Sequence, residues 1–345
     1  MASWISQYAL FLRDSGVRFE VVCPTRGRPR FLEGSLLDVR LVHSSRAGRV
    51  PTALARGPLR RRVEFESSRH LASALRAYDR IYIQEYATGR AQRLAREFGG
   101  SNAKVVAAFH GTSIAVVPPN ERAVLAATGW RFTALTALES ESVARVVGGA
   151  ARVVTLPNPV GDAWFGAKAA QRRGLVWVGR VEDRAKGVFF ALETFRYVLR
   201  RIGRPETLTI VGGGSDLSRA MKFVERDPVL AGHVRFLGMV TDTNRVRTEV
   251  SSAMLLLNTS YVEGFPISVV EALAAGTPVA LRELPYVAEL ADRRGVFVLS
   301  RDDPSAAADQ VIAALTSASV PDRDEVLRRF GRERFVEDFH GLWLE

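Results

Sequence analysis

The sequence predicts an α/β protein made of two doubly wound domains, each a parallel sheet covered by helices. Three observations carry that expectation. Short runs rich in Val, Leu, Ile and Phe alternate with longer stretches whose apolar residues recur at helical spacing, and this is the rhythm of βαβ units with parallel strands. The rhythm closes near residue 159 and restarts at residue 175. Glycine-rich turns directly follow several of the apolar runs, at the strand ends where α/β proteins bind their ligands. A chain of 345 residues is also long enough to bury two separate cores.

In chain order, residues 1–13 place Trp4, Ile5, Tyr8, Ala9 and Leu12 at helical spacing, and Asp14-Ser15-Gly16 ends that helix. A strand at 19–23 follows. Residues 24–62 are rich in Arg, Gly and Pro and read as loops around one strand near 39–42. Next come a helix at 67–77, a strand at 81–84, a helix at 89–98 and a strongly apolar strand at 104–109. His110-Gly111 comes directly after that last strand. A strand at 132–135, a helix at 139–147 and the run V-V-T-L-P-N-P at 153–159 complete a first domain, residues 1–158.

The second domain, residues 159–324, opens with a strand at 175–178 followed by Gly179-Arg180, then Lys186-Gly187 at the start of a helix that runs to 201. A strand at 208–211 ends in Gly212-Gly213-Gly214. That turn is not G-x-G-x-x-G and no acidic residue follows at the required spacing, which argues against a nicotinamide cofactor. A strand at 234–237, a helix at 243–253 and a strand at 254–258 lead to the stretch at 261–279, Y-V-E-G-F-P-I-S-V-V-E-A-L-A-A-G-T-P-V. Gly264 and Pro266 turn the chain there, Pro266 is expected at the first helical position, and Gly276 with Pro278 ends the helix. A strand at 279–281, a helix near 287–292, a strand at 296–299 and helices at 304–316 and 325–343 finish the chain. Asp322-Arg323-Asp324 stands before a helix rather than after a strand and reads as N-cap chemistry, not as a metal site.

Composition narrows the function classes. The sequence is 47% apolar and 25% charged, with no uninterrupted apolar run near the ~18 residues that a membrane span needs and no basic leader at Met1 to Leu12. Cys23 stands alone, so an internal disulfide and a cysteine metal site are both excluded. The net charge is +11. Residues 1–160 hold 23 Arg and Lys against 12 Asp and Glu, whereas residues 161–345 hold 25 of each. A basic first half suits an acidic partner, either an anionic membrane surface or a phosphorylated lipid or sugar acceptor. No nucleic-acid-binding motif accompanies the charge, so nucleic acid is not an expected partner.

Glu263 and Glu271 stand eight residues apart, the first on the loop and the second inside the helix, beside a helix N-terminus that suits a phosphate. The run E-G-F-P-I-S-x-x-E-A-x-A-x-G-x-P-V resembles the signature of the retaining GT-B glycosyltransferases of the family 4, or "glycosyl transferases group 1", type. The resemblance implies a GT-B fold, two Rossmann-like domains facing a cleft, with the helix at 325–345 returning to the first domain. It implies a hexosyl transfer from a nucleoside diphosphate sugar (UDP-, GDP- or ADP-linked) to a glycan or lipid-linked acceptor, with retention and without a metal or other cofactor. Such a protein acts in the cytoplasm, where nucleotide sugars are made, and its basic half would hold it at the membrane face.

Residue by residue, the family pattern makes Gly179, Arg180 and Lys186 a diphosphate clamp and puts Gly212 and Gly213 near the base. It gives the sugar hydroxyls to Glu263 with the loop Gly264 and the backbone N–H groups of Phe265 and Ile267, the diphosphate to the helix start at Ile267-Ser268, and the ribose to Glu271. His110, Glu263, Arg180 and Lys186 are the expected catalytic residues, His110 facing the donor sugar. The family's first strand and Gly-rich loop have no counterpart before residue 1, so the expectation is a first domain lacking its first strand, through truncation or a misassigned start. Two other readings stay open: a non-catalytic nucleotide-sugar-binding or scaffold protein, and a GT-B nucleotide-sugar epimerase.

Overall fold

The computed structural model describes residues 171–344 and, before them, 11, 12, 14, 21–23, 39–41, 75, 76, 78–83, 104–109, 117, 119–148 and 152–167. The chain divides into two units, residues 1–157 with 335–345, and residues 158–334. The expected helix at 89–98, the chain start and His110 lie outside the described residues.

In the first unit, β1 (Val21–Cys23) pairs parallel with β2 (Val39–Leu41). A separate parallel sheet runs in the order β3 (Arg80–Ile83), β4 (Lys104–Ala108), β5 (Arg131–Ala134), β6 (Val153–Thr155). β4 reads as a continuous apolar run because both of its faces are covered, and Val106, Ala107, Ala108 and Phe109 are fully buried. Among the described residues two helices accompany the sheet, α1 (Pro119–Ala126), which the sequence reading passed over, and α2 (Ala137–Val147). A capping box starts α2: the Thr136 hydroxyl accepts the Glu139 N–H at 3.1 Å, and the Glu139 carboxylate accepts the Leu135 N–H at 2.9 Å.

In the second unit, α3 (Asp162–Phe165) precedes a six-stranded sheet of β7 (Leu175–Val178), β8 (Leu208–Val211), β9 (Val234–Gly238), β10 (Leu255–Asn258), β11 (Val279–Arg282) and β12 (Val296–Leu299). All pairs are parallel, and the order is β12-β11-β10-β7-β8-β9. Its crossovers are α4 (Asp183–Lys186) with α5 (Val188–Arg201), α6 (Leu217–Arg226), α7 (Thr243–Ser251) and α8 (Ile267–Ala274), and a last helix α9 (Pro304–Thr316) packs on α5. The core joins Trp177, Leu192, Phe195, Leu208, Ile210 and Leu257. Helix α6 was not expected, although Leu217, Ala220 and Val224 recur at helical spacing. The expected helix near 287–292 is a short 3-10 turn, Pro285–Glu289.

The expected single helix at 325–343 is two, α10 (Arg323–Phe330) and α11 (Arg332–Gly341). The break is at Gly331, whose backbone is extended (ψ 166°) and where a Cβ would lie 2.3 Å from the Leu327 carbonyl oxygen. The aromatic residues Phe330, Phe335, Phe339 and Trp343 therefore divide between the two units. Phe330 packs on Phe265 in the second unit, with ring centroids 5.3 Å apart, whereas Phe335, Phe339 and Trp343 pack with Phe11, Leu12, Val106 and Leu156 in the first. Arg131 and Arg152 donate to the Leu344 carbonyl at 2.7 and 2.9 Å, so cations collect at the carboxyl end of α11 as its dipole favours.

Leu257 on β10 is 1% exposed, and Leu257→Ala is expected to destabilise the second unit by ~3 kcal/mol through lost burial and a residual cavity. The exposed Met221, changed to Ala, should cost under ~0.5 kcal/mol in the same urea titration.

Candidate functional site

The strand order of the second unit reverses between β7 and β10. From β7 the chain winds outward through β8 and β9; from β10 it winds the other way through β11 and β12. Such a switch point opens a crevice at the carboxyl ends of the two central strands. β7 and β10 are in register, Leu175 beside Leu255 and Trp177 beside Leu257. The turn after β7 and the loop after β10, far apart in sequence, are therefore neighbours.

Contacts between turn and loop fix them together. Lys186 closes the single turn α4, and Gly187 links it to α5 in a left-handed conformation (φ 62°). A Cβ on Gly187 would lie 2.2 Å from the Thr259 carbonyl oxygen, so no other residue fits there. The Thr259 hydroxyl accepts the Trp177 indole N–H at 3.1 Å and donates to the Gly187 carbonyl at 2.8 Å. The Tyr261 N–H donates to the Ala185 carbonyl at 2.9 Å. Lys186 was expected to open a long helix; it instead ends a short turn, and this aims its ammonium back at the loop.

The result is an ion pair. The Lys186 ammonium donates to Glu263 Oε1, which also accepts the Ser260 hydroxyl at 2.8 Å. The side chains are 20% and 13% exposed, deep enough for screening to be weak and for an unpaired charge to be costly. Glu263 Oε2 accepts no hydrogen bond among the described residues. Arg180 is not part of this pair. It is half-exposed and binds Glu182 at 2.8 Å, an ion pair of little energetic consequence in solvent.

Within the protein itself, the glycine turns also pack closely on one another. A Cβ on Gly179 would meet only the Trp177 ring, at 3.3 Å. The close approach belongs to Gly212, at φ 145°, where a Cβ would stand 1.8 Å from the Gly179 carbonyl oxygen. A Cβ on Gly213 would lie 3.3 Å from the Met239 Cβ.

Helix α8 starts at Ile267, with Pro266 in extended conformation at the cap position rather than at the first helical one, and no side chain caps it. Its first N–H groups, at Ile267 and Ser268, have no hydrogen-bond partner among the described residues and point their dipole end at the loop. The opposite end is satisfied: Arg172 donates to the Ala275 carbonyl at 3.0 Å and Arg323 to the Ala274 carbonyl at 2.8 Å. Burial and the nearby Arg323 both lower the Arg172 pKa. In the loop, Gly264 precedes Phe265, whose ring is buried and whose carbonyl accepts the Asn158 amide at 2.9 Å. Burial, with the Glu263 charge adding to it, holds the Tyr286 hydroxyl protonated.

Glu271 lies within α8, partly buried, with its carboxyl bonded by the Trp164 side chain. Burial pushes its pKa up to about 7, while the Trp164 hydrogen bond pulls the other way. Asp322 caps α10 by accepting the Glu325 N–H at 3.0 Å, the capping role expected from sequence. Sequence reasoning missed Thr259, Ser260 and Arg282. The first two are ordinary in sequence, whereas Arg282 carried a signal, a charge at the end of the apolar strand V-A-L-R.

Two outcomes follow from this geometry. Gly187→Ala should destabilise the second unit by at least ~2 kcal/mol, combining a strained left-handed residue with a backbone clash, read by thermal melting. For Glu271, the folded protein holds the proton more tightly than the unfolded chain, whose value is 4.5. Stability therefore falls as pH rises from about 4.5 to about 7, by ~1–3 kcal/mol for this partly buried group. Glu271→Gln should remove that decline in urea titrations at pH 5 and pH 8.

Comparison with known proteins fits the geometry. Residues 172–317 match the model of the family described as "Glycosyl transferases group 1". The phosphatidyl-myo-inositol mannosyltransferase of Mycobacterium tuberculosis is 28% identical over 181 residues, 49% of this chain and 47% of that protein. The poly(glycerol-phosphate) alpha-glucosyltransferase of Bacillus subtilis is 26% identical over 193 residues, 54% of this chain and 28% of that protein. The matches thus span less than half the length of these relatives. The structure of Anabaena HepE in complex with UDP and glucose superposes with a TM-score of 0.72 at 14% identity, covering 98% of this chain and 94% of that one. The chain has the GT-B fold, and its residues 172–317 are similar to the glycosyl transferases group 1 family.

Proposed function

We propose that this protein transfers a hexosyl group from a nucleoside diphosphate sugar to a hydroxyl of an acidic glycan or lipid acceptor, with retention at the anomeric carbon. The observation that carries the proposal is the Lys186–Glu263 pair at the switch point, beside the uncapped start of α8. In this reading Lys186, the half-exposed Arg180 and the N–H groups of Ile267 and Ser268 bind the diphosphate. The bond between the anomeric carbon and the diphosphate oxygen breaks, and its electron pair passes to the diphosphate. Positive charge placed where that negative charge grows stabilises the transition state more than the ground state. The acceptor oxygen bonds to the same face of the anomeric carbon, and its proton leaves to the departing phosphate oxygen.

Glu263, with Oε2 open, accepts sugar hydroxyls, and donor entry draws Lys186 from Glu263 toward phosphate. Glu271 binds the ribose, and Gly212 and Gly213 let the base approach the backbone. His110, which lies outside the described residues, is the remaining catalytic assignment and rests on the family resemblance alone. The UDP and glucose bound by HepE support a nucleotide-sugar donor. The phosphorylated acceptors in the names of the two relatives agree with the basic excess in residues 1–160. Among the described residues no helix is long and apolar enough to cross a membrane, and we place the protein in the cytoplasm, attached peripherally to an anionic membrane face.

The test is a calorimetric screen of UDP-, GDP- and ADP-sugars, followed by assay of diphosphate release. One nucleotide sugar should bind and be slowly hydrolysed; binding of none by the folded protein would sink the proposal. Glu263→Gln and Lys186→Ala should each lower turnover by ~10² or more, with the circular dichroism spectrum unchanged.

A further inference from the structure

Arg282 ends β11 and is 3% exposed. One of its nitrogens donates to Asp302 at 3.0 Å, and its Nη1 has no hydrogen-bond partner among the described residues. Its guanidinium carbon lies over the Phe190 ring at 4.5 Å and over the Tyr261 ring at 3.8 Å. A buried, half-satisfied guanidinium is a poor choice for packing, since an apolar side chain of similar length would fill the same space without desolvating a charge. What the guanidinium adds is a flat cationic surface that holds aromatic rings in place. Phe190 belongs to the first turn of α5, directly after Lys186 and Gly187. Tyr261 belongs to the loop before Glu263, donates its N–H to the Ala185 carbonyl, and has its ring 3.1 Å from where a Gly187 Cβ would stand. The Tyr261 ring is 41% exposed, so the apolar core alone does not hold it.

We propose that Arg282 is a positioning residue of this site: by gripping Tyr261 and Phe190 together it fixes the loop of Glu263 against the turn of Lys186, and so sets the geometry in which a nucleoside diphosphate sugar is held. The last clause rests on the donor reading above; the positioning itself does not. Among the described residues no hydrogen bond or ion pair joins Arg282 to Lys186 or Glu263, and it acts on them through the two rings.

The chain has only four lysines, Lys104, Lys168, Lys186 and Lys222, so acetic anhydride labelling followed by peptide mass spectrometry reads Lys186 directly, with the exposed Lys222 as internal reference. In the wild type Lys186 should react at least tenfold more slowly than Lys222. Arg282→Met should raise the Lys186 rate at least fivefold with Lys222 unchanged and the melting temperature retained. Tyr261→Ala, a change at an exposed ring, should reproduce that rate and serves in its place should Arg282→Met not fold. The double variant should add nothing further, as coupled sites require, while Tyr261→Phe, which keeps the ring, should label like the wild type. Calorimetry with UDP-, GDP- and ADP-sugars should show at least tenfold weaker donor binding in Arg282→Met. Lys186 as reactive as Lys222 in the wild type, an unchanged Lys186 rate in the variants, or an unchanged donor affinity beside faster labelling would overturn the proposal. Faster labelling in a protein whose wild type binds no nucleotide sugar would uphold the positioning and defeat only the donor reading.

Discussion

The parallel pairing of β7 with β10 is the constraint on which the site depends. These strands are consecutive in space and not in sequence, and the sheet winds away from them in opposite directions. Helices cover the faces of the sheet, so whatever follows β7 and β10 must meet at the carboxyl edge between them. In this chain the turn after β7 carries Lys186 and the loop after β10 carries Glu263.

Pairing alone would leave two loops near one another without fixing them. Uncharged contacts join them: the Trp177 indole on the Thr259 hydroxyl, that hydroxyl on the Gly187 carbonyl, and a glycine where any Cβ would strike the Thr259 carbonyl. The ion pair between Lys186 and Glu263 sits on this frame. Half-buried charges gain little net stability from one another once desolvation is counted. Their pairing is better understood as storage, an ammonium and a carboxylate kept ready in a place where each alone would be costly.

Helix α8 shows the same division between structure and readiness. Its carboxyl end is closed by two guanidiniums and its first turn is left open beside Glu263. A helix whose dipole is satisfied at one end only is polarised toward the other, and the uncapped Pro266 start leaves N–H groups directed at the crevice. Glu271 lies deeper in the same helix, tied to Trp164, and its raised pKa reflects how little water reaches it.

The sequence by itself determined the α/β class, the restart near residue 175, nearly every strand of the second sheet, and the candidates Lys186, Glu263, Ile267 and Ser268. These are local properties: apolar runs, turn glycines, a proline before a helix and one long motif. It missed the break at Gly331, a glycine that only the nearby Leu327 carbonyl makes necessary. It gave no sign that a Cβ on Gly212 would strike the Gly179 carbonyl, because a contact between two turns is invisible in either one. Only the tertiary structure decided that Lys186 faces Glu263, that Arg180 does not, and that Arg282 lies under Tyr261. The reason is physical: strand periodicity is written along the chain, whereas the order of strands in a sheet, and hence which loops meet, follows from packing across it.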